Sequence, residues 1–189
     1  CHLNGTGMED EAQVEASKKA VAEYDASTYA TALDAWMKGD MKRTDPNKAA
    51  EQPPTCADCH GGHYIMRTDT EYAQQVLHGS AYRMCARCHE EEYASYDDYY
   101  HGAAYKKGAS DSPACWDCHG SHLILPSNDA NSMVSATNMA DTCGAEGCHG
   151  EGSDEAFAQS AGDLIHQKTT VAEENPLRQL MQQIRSWFS

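Results

Sequence analysis

Four short segments at almost equal intervals each end in the dipeptide Cys-His. Three of them are strict C-x-x-C-H sequences, CADCH at 56–60, CARCH at 85–89 and CWDCH at 115–119. The fourth, CGAEGCH at 143–149, has two further residues between its cysteines. The first cysteines of successive segments are 29, 30 and 28 residues apart. Spacing of this regularity indicates one structural unit repeated along the chain.

The C-x-x-C-H sequence is typical of the covalent attachment of a c-type haem (heme c). Two thiols at this spacing form thioethers with the porphyrin vinyl groups, and the adjoining histidine becomes an axial ligand of the iron. The motifs therefore predict four haems and eight attachment cysteines. The cysteines are Cys56, Cys59, Cys85, Cys88, Cys115, Cys118, Cys143 and Cys148, and the axial histidines are His60, His89, His119 and His149.

Other uses of the cysteines explain the pattern less well. A zinc ribbon pairs C-x-x-C sequences, or two Cys with two His, and does not need His after every second Cys. A thioredoxin-like dithiol occurs once, near a βαβ pattern. A complete disulfide framework needs an even number of cysteines, whereas this chain has nine. Haem attachment is the interpretation that accounts for the repeated Cys-His ending.

Six further histidines supply candidates for the second axial ligand of each iron. They are His2, His63, His78, His101, His122 and His166. Several of them recur relative to the motifs, whereas the eight methionines follow no such repeat, so we predict bis-histidine ligation and low reduction potentials. His63 and His122 each stand three residues after a motif histidine. Three residues span at most about 10–11 Å, too little to reach both faces of one iron, so we expect each to ligate a neighbouring haem.

The other distal candidates lie in recognisable local sequences. His78 and His101 both begin the sequence H-G-x-A-Y, in which glycine permits close approach of a backbone or a porphyrin. His166 lies next to the apolar face of a helix predicted over 154–168. We expect all three to be distal ligands.

The scarcity of large apolar side chains limits the fold. The chain has two Phe against ten Tyr, and its long polar stretches do not provide an ordinary aliphatic core. We therefore predict a mainly α fold with extensive loops and little or no sheet, in which haems form the core. Three regions follow. They are an N-terminal helical arm and linker at 1–54, a multihaem domain at 55–168 and a C-terminal amphipathic helix at 169–189.

Local signals place the terminal helices. The Ala-rich stretch over 9–38 predicts the arm, ending near Gly39. At the other end, Asn175 and Pro176 are suited to begin a helix whose apolar residues recur as one stripe through 188.

Over about residues 53–168 the chain resembles a multihaem c-type cytochrome. The resemblance lies in PTCADCHGGHYIM (54–66), SPACWDCHGSHLILP (112–126) and the two H-G-x-A-Y segments. It is closest to small cytochromes that carry electrons in the periplasm or stack into extracellular filaments. It implies export to the periplasm or cell surface, covalent haems, electron transfer, and partners that are other redox proteins or copies of the chain itself. In known filaments some distal histidines come from the next subunit, and His2 and His166 are the natural donors here.

The alternative function is a multihaem oxidoreductase of the nitrite or hydroxylamine type. Such an enzyme needs an iron with an open axial position. Because the spare histidines outnumber the four motifs, no iron need be open, and we expect an electron carrier rather than an enzyme.

Charge and hydropathy exclude other partners. A net charge of −15, from 29 acidic and 14 basic residues, argues against binding nucleic acid. No apolar run is long enough for a transmembrane helix. The chain also begins without a signal peptide, so we expect the printed sequence to be a processed or trimmed form.

The dipeptide Cys1-His2 has three interpretations. It can be the end of a fifth C-x-x-C-H motif, in which case ten histidines would serve five haems. Alternatively, Cys1 carries a lipid anchor and His2 is a distal ligand or a bystander. The third alternative is a haem attached through Cys1 alone.

Overall fold

A computed structural model of the chain describes residues 10–41, 52–62, 70–98, 100–150, 156–158, 160 and 165–166. These residues include nine helices of 5 to 15 residues, joined by turns and loops. The helices are α1 (Glu11–Asp25), α2 (Thr28–Lys38), α3 (Cys56–His60), α4 (Glu71–His78), α5 (Ala81–Cys85), α6 (Glu90–Ser95), α7 (Gly102–Lys106), α8 (Cys115–His119) and α9 (Met139–Cys143). The described ranges contain no strand, only one antiparallel bridge between Tyr96 and His166. The predicted mainly helical class without a sheet is confirmed.

The N-terminal arm is a helical hairpin rather than one continuous helix. The Asp10 carboxylate caps α1 by accepting a hydrogen bond from the Ala12 N–H at 2.8 Å. The chain then turns at Ser27, which is 1% exposed, and the Ser27 hydroxyl caps α2. The prediction over 9–38 missed this break, because a Ser within an Ala-rich run does not by itself end a helix. The predicted end near Gly39 is confirmed, since α2 stops at Lys38.

The hairpin is anchored to the segments that carry the Cys-His motifs. The Tyr24 hydroxyl donates to the carbonyl of Pro54 at 2.6 Å, just before the first motif. At the tip of the hairpin, the Thr28 N–H donates to the carbonyl of Ile124 at 3.0 Å, after the third motif. The arm therefore contacts two motif regions that are far apart in sequence.

The buried apolar core of the described residues is small and consists of Tyr and Ala. Ala81, Tyr96, Tyr105 and Ala114 form it. Tyr82, Tyr93, Trp116 and Ile165 pack around it. This agrees with the scarcity of Leu, Val and Phe in the sequence. None of the helices in the described ranges has the length and apolar character that crossing a bilayer requires.

The two H-G-x-A-Y segments pack against each other in different conformations. His78 ends α4, whereas His101 directly precedes α7. The Tyr105 hydroxyl of the second segment donates to the His78 carbonyl of the first at 2.7 Å. Gly102 lies so close to the preceding turn that an added Cβ would be 2.3 Å from the Tyr96 carbonyl oxygen. The expected close approach therefore occurs at Gly102 and is made by backbone, whereas a Cβ at Gly79 would be 3.5 Å from its nearest neighbour.

Gly102→Ala should destabilise the protein, because the new methyl group would overlap backbone atoms that cannot move independently. Overpacking of this kind costs about 1–3 kcal/mol. Gly79→Ala is the matched control, since a Cβ there makes an ordinary contact. Chemical denaturation of both variants checks this, and equal stabilities would contradict the role given to Gly102.

Candidate functional site

The first and third motifs are single helical turns that begin at a cysteine and end at the motif histidine. An aspartate in the third position of each motif fixes the turn. The Asp58 carboxylate accepts from the Thr55 N–H at 2.8 Å, and the Asp117 carboxylate accepts from the Ala114 N–H at 2.7 Å. Because residues three apart on a helix lie on one face, both thiols of each motif are presented together.

The second and fourth motifs begin where a helix ends. Cys85 is the last residue of α5 and Cys143 the last of α9. The Cys85 carbonyl accepts from the N–H of His89 at 2.9 Å, and the Cys143 carbonyl accepts from the N–H of His149 at 3.1 Å. The same backbone contact therefore closes both loops, and the two extra residues of the fourth motif are accommodated between its cysteines.

A glycine after each of the first and third motif histidines redirects the chain. Gly61 and Gly120 have φ angles of +77° and +79°, a conformation that other residues rarely adopt. After Gly120 the chain turns sharply, and His122 is carried away from the histidine that precedes it. This local geometry brings His122 to the first motif.

Three motif histidines each lie against a histidine from outside the motifs. The ring centroids of His60 and His122 are 5.9 Å apart, with an interplanar angle of 18°. The other two pairs are His149 with His101, at 5.9 Å, and His119 with His166, at 6.1 Å. Each pair joins segments that are distant in sequence.

The separation of these rings fits a metal held between them. A metal–imidazole bond is about 2 Å long and the ring centroid lies about 1 Å behind the nitrogen, so a bridged pair needs centroids about 6 Å apart. Ordinary aromatic contacts cover the same range. The more specific observation is the composition of the pairs, since each combines one motif histidine with one of the six others.

Burial favours the neutral, metal-binding form of two of these histidines. Burial, followed by the neighbouring imidazole of His166, lowers the pKa of His119. Burial also lowers the pKa of His122, with a smaller contribution from His60. A lowered pKa favours the neutral imidazole, which is the ligating form.

Carboxylates lie behind two of the non-motif imidazoles. Asp98 Oδ2 is 3.0 Å from His101 Nδ1, and Glu23 Oε2 is 3.8 Å from His122 Nδ1. Burial raises the pKa of Asp98, but hydrogen bonds from the backbone N–H groups of Gly102 and His101 outweigh it, so the pKa lies below the usual value. Asp98 is therefore a fixed negative charge beside His101.

The remaining motif histidine, His89 of the second motif, faces a phenol from the arm. The Tyr29 hydroxyl is 3.1 Å from His89 Nε2, and the ring centroids are 6.5 Å apart. Burial, and then the nearby Cys85, raise the pKa of Tyr29 to about 12. The neutral phenol thus occupies the space next to the nitrogen that the motif assigns to iron.

The motif thiols lie close to one another. All eight cysteines of the described residues are free thiols. The Cys85 and Cys115 thiols share a hydrogen bond, which lowers the pKa of Cys115 to about 7 and raises that of Cys85. Cys59 and Cys88 line one cleft, together with Met84. The second motif is therefore adjacent to both the first and the third.

Of the remaining predicted ligands, His78 contacts groups other than a motif histidine, and the others lie outside the described residues. His78 Nε2 is 2.7 Å from the Ser112 carbonyl oxygen, and its ring meets the edge of Tyr105. Cys1, His2 and His63 lie outside the described residues, as does the predicted helix through 188.

The donor set fits a haem better than a bare metal ion. Within the described ranges, no group of three or more His, Cys, Asp or Glu side chains converges as a metal site. A haem iron takes only its axial ligands from the protein, because the porphyrin nitrogens fill the other positions. Paired imidazoles beside paired thiols are what such a group requires.

Comparisons of the chain with protein-family models, with curated proteins and with solved structures found no match.

The motif-based prediction missed the side chains that surround the ligands. Tyr29 and Glu23 reach the imidazoles through folding contacts that no sequence spacing predicts, whereas the position of Asp98 could have been recognised. Two signals were present in the sequence. Asp recurs at the third position of CADCH and CWDCH, and Asp98 stands three residues before His101, where a carboxylate can accept from the next turn.

His122→Ala removes the imidazole that faces His60. If haems are attached as the motifs predict, we expect one haem to change from low spin to high spin, because His60 alone would remain as its axial ligand. Ferric EPR and absorption spectra measure this change. Leu123→Ala is the control, since it shortens the neighbouring side chain, which is 36% exposed, and leaves the imidazole in place. An unchanged low-spin spectrum for His122→Ala would contradict the pairing.

Proposed function

We propose that this protein carries electrons on covalently bound c-type haems with two histidine ligands. The observation that carries the proposal is the set of three imidazole pairs, each joining a Cys-His motif to a histidine outside the motifs. When bound, haem supplies reversible one-electron chemistry. Neither a zinc site nor a redox dithiol would need this pairing.

The chain's own residues have separate tasks in this proposal. The cysteines attach each group by thioethers, and the paired histidines fix its orientation. Asp58 and Asp117 hold the first and third motifs in a helical turn. Cys85 and Cys115 lie next to each other, so haems attached to the second and third motifs would be close together, which is what fast transfer between centres requires.

The carrier can be a periplasmic shuttle or a subunit of an extracellular filament or complex. These forms differ in whether a neighbouring subunit provides ligands. The ring of His166 lies beside His119 of its own chain, and its Nδ1 is 3.1 Å from the Glu92 carbonyl oxygen. This supports a role for His166 within the chain and leaves His2 as the predicted donor to a neighbour.

The proposal predicts at least four covalent haems per chain. Intact mass under denaturing conditions should exceed the polypeptide mass by four or five haem groups, because thioethers survive unfolding. Iodoacetamide should not modify the eight motif cysteines of the same sample. The matched sample is the chain produced without haem, in which these thiols are alkylated. A chain with alkylated motif cysteines and no haem mass after export would overturn the proposal.

The second candidate function is a multihaem oxidoreductase with one open iron, and the contact between Tyr29 and His89 favours it. In an enzyme, a phenol beside an open coordination position could donate a hydrogen bond to bound substrate. In a carrier, a further histidine would complete this site and displace the phenol. The predicted histidines available for this are His2, His63 and His78.

Tyr29→Phe separates these functions, because it removes only the hydroxyl next to His89 Nε2. For the carrier, we expect wild type and variant to have the same fully low-spin ferric spectrum. A high-spin signal in wild type that changes in Tyr29→Phe would instead favour the enzyme. Tyr24→Phe is the control, since the Tyr24 hydroxyl bonds to Pro54 and lies on the same hairpin.

A further inference from the structure

The imidazole pair formed by His101 and His149 has a carboxylate directly behind one member. Asp98 Oδ2 lies 3.0 Å from His101 Nδ1, and the two side chains are only 14% and 26% exposed. This contact is not aligned as a hydrogen bond, so Nδ1 is a buried polar atom without a hydrogen-bond partner in the described part of the chain. A buried polar atom of this kind needs a functional or structural explanation.

Asp98 is held in position by the backbone that follows it. Its two carboxylate oxygens accept from the N–H groups of His101 and Gly102, each at 3.0 Å. Gly102 in turn lies against the Tyr96 carbonyl, where a Cβ would not fit. The carboxylate is therefore fixed beside Nδ1 and cannot turn away from it without disrupting the start of α7.

A carboxylate at Nδ1 leaves Nε2 of the same imidazole as the nitrogen available to a metal. Metal-ligating histidines commonly donate their other N–H to a carboxylate, which fixes the tautomer and ring orientation and raises the basicity of the ligand. A more basic ligand with an adjacent negative charge favours the oxidised over the reduced metal.

We propose that Asp98 is a positioning residue for His101: its negative charge, 3.0 Å from Nδ1, favours the imidazole with Nε2 toward the iron and lowers the reduction potential of the iron shared with His149. This inference rests on the proposed haem ligation. It assigns Asp98 a role in setting the reduction potential of one centre among several. The pair of His119 with His166 differs, because no carboxylate is described beside its non-motif imidazole. There, His166 Nδ1 faces the Glu92 carbonyl oxygen and the Ser95 hydroxyl.

Asp98→Asn in the haem-loaded protein tests the inference. Spectroelectrochemical titration should give one midpoint potential that is higher than in wild type, because the variant lacks the negative charge and is a weaker acceptor. The EPR signal of one low-spin haem should change as well. Asp97→Asn is the matched control, since Asp97 is the adjacent residue, is 64% exposed and pairs with Lys106. Asp98→Glu keeps the charge and should restore part of the shift.

Asp98→Ser separates the loss of the charge from a loss of folding. The serine hydroxyl can still accept a backbone hydrogen bond at the start of α7, but it carries no charge. A rise of one potential in both the Asn and Ser variants, with full haem mass, supports the inference. The inference would be overturned if the Asp98→Asn and Asp98→Ser variants had the same potentials as the Asp97→Asn control. It would also be overturned if both Asp98 variants lost haem, because Asp98 would then have a purely structural role. Failure of the proposed function would be distinct, since wild type itself would then carry no covalent haem.

Discussion

The contact between paired imidazoles is the interaction on which the rest of the described structure depends. Each pair connects a Cys-His motif to a histidine far away in the sequence, and so brings loops together that have little else in common. The apolar core cannot do this alone, since it consists of a few Tyr and Ala side chains. Three of the described helices, α3, α8 and α9, begin or end at a cysteine of a motif whose histidine is paired, so the pairs link these helices to distant segments.

Tyrosine takes the place of larger aliphatic residues for a physical reason. Helix ends and loops leave carbonyl groups without a backbone partner. Partly buried phenols satisfy such carbonyls while contributing apolar area. Tyr105 donates to His78, Tyr96 to Pro113 and Tyr24 to Pro54, each over 2.6–2.7 Å. A Phe at these positions would fill space but leave the carbonyl unpaired, which explains the excess of Tyr over Phe.

The features that follow from composition and repeated motifs could be predicted from the sequence, whereas the contacts between distant segments could not. Mainly helical structure without a sheet, and the end of the arm at Gly39, followed from composition and local signals. The break at Ser27 did not, because it depends on the docking of the hairpin at Ile124. The six additional histidines were recognisable as candidate ligands, and spacing alone predicted that His122 would not pair with His119. That His60 is the histidine it meets could not be derived from spacing, because this contact arises from a turn at Gly120. The phenol of Tyr29 beside His89 had no signal at all.

The acidic character of the chain has a consequence beyond solubility. A negative charge near a metal stabilises its oxidised state, and the effect grows as water is excluded. Most acidic residues in the described part of the chain are exposed and screened by salt, so they influence the approach of basic partners more than any single centre. Asp98 and Glu23 differ, because they face imidazoles and are at least half-buried. Under the proposed function, the distances of these two carboxylates, at 3.0 and 3.8 Å from Nδ1, would make the centre at His101 more reducing than that at His122. Two sites with the same types of ligand would then differ in reduction potential, and this difference would favour electron transfer in one direction between them.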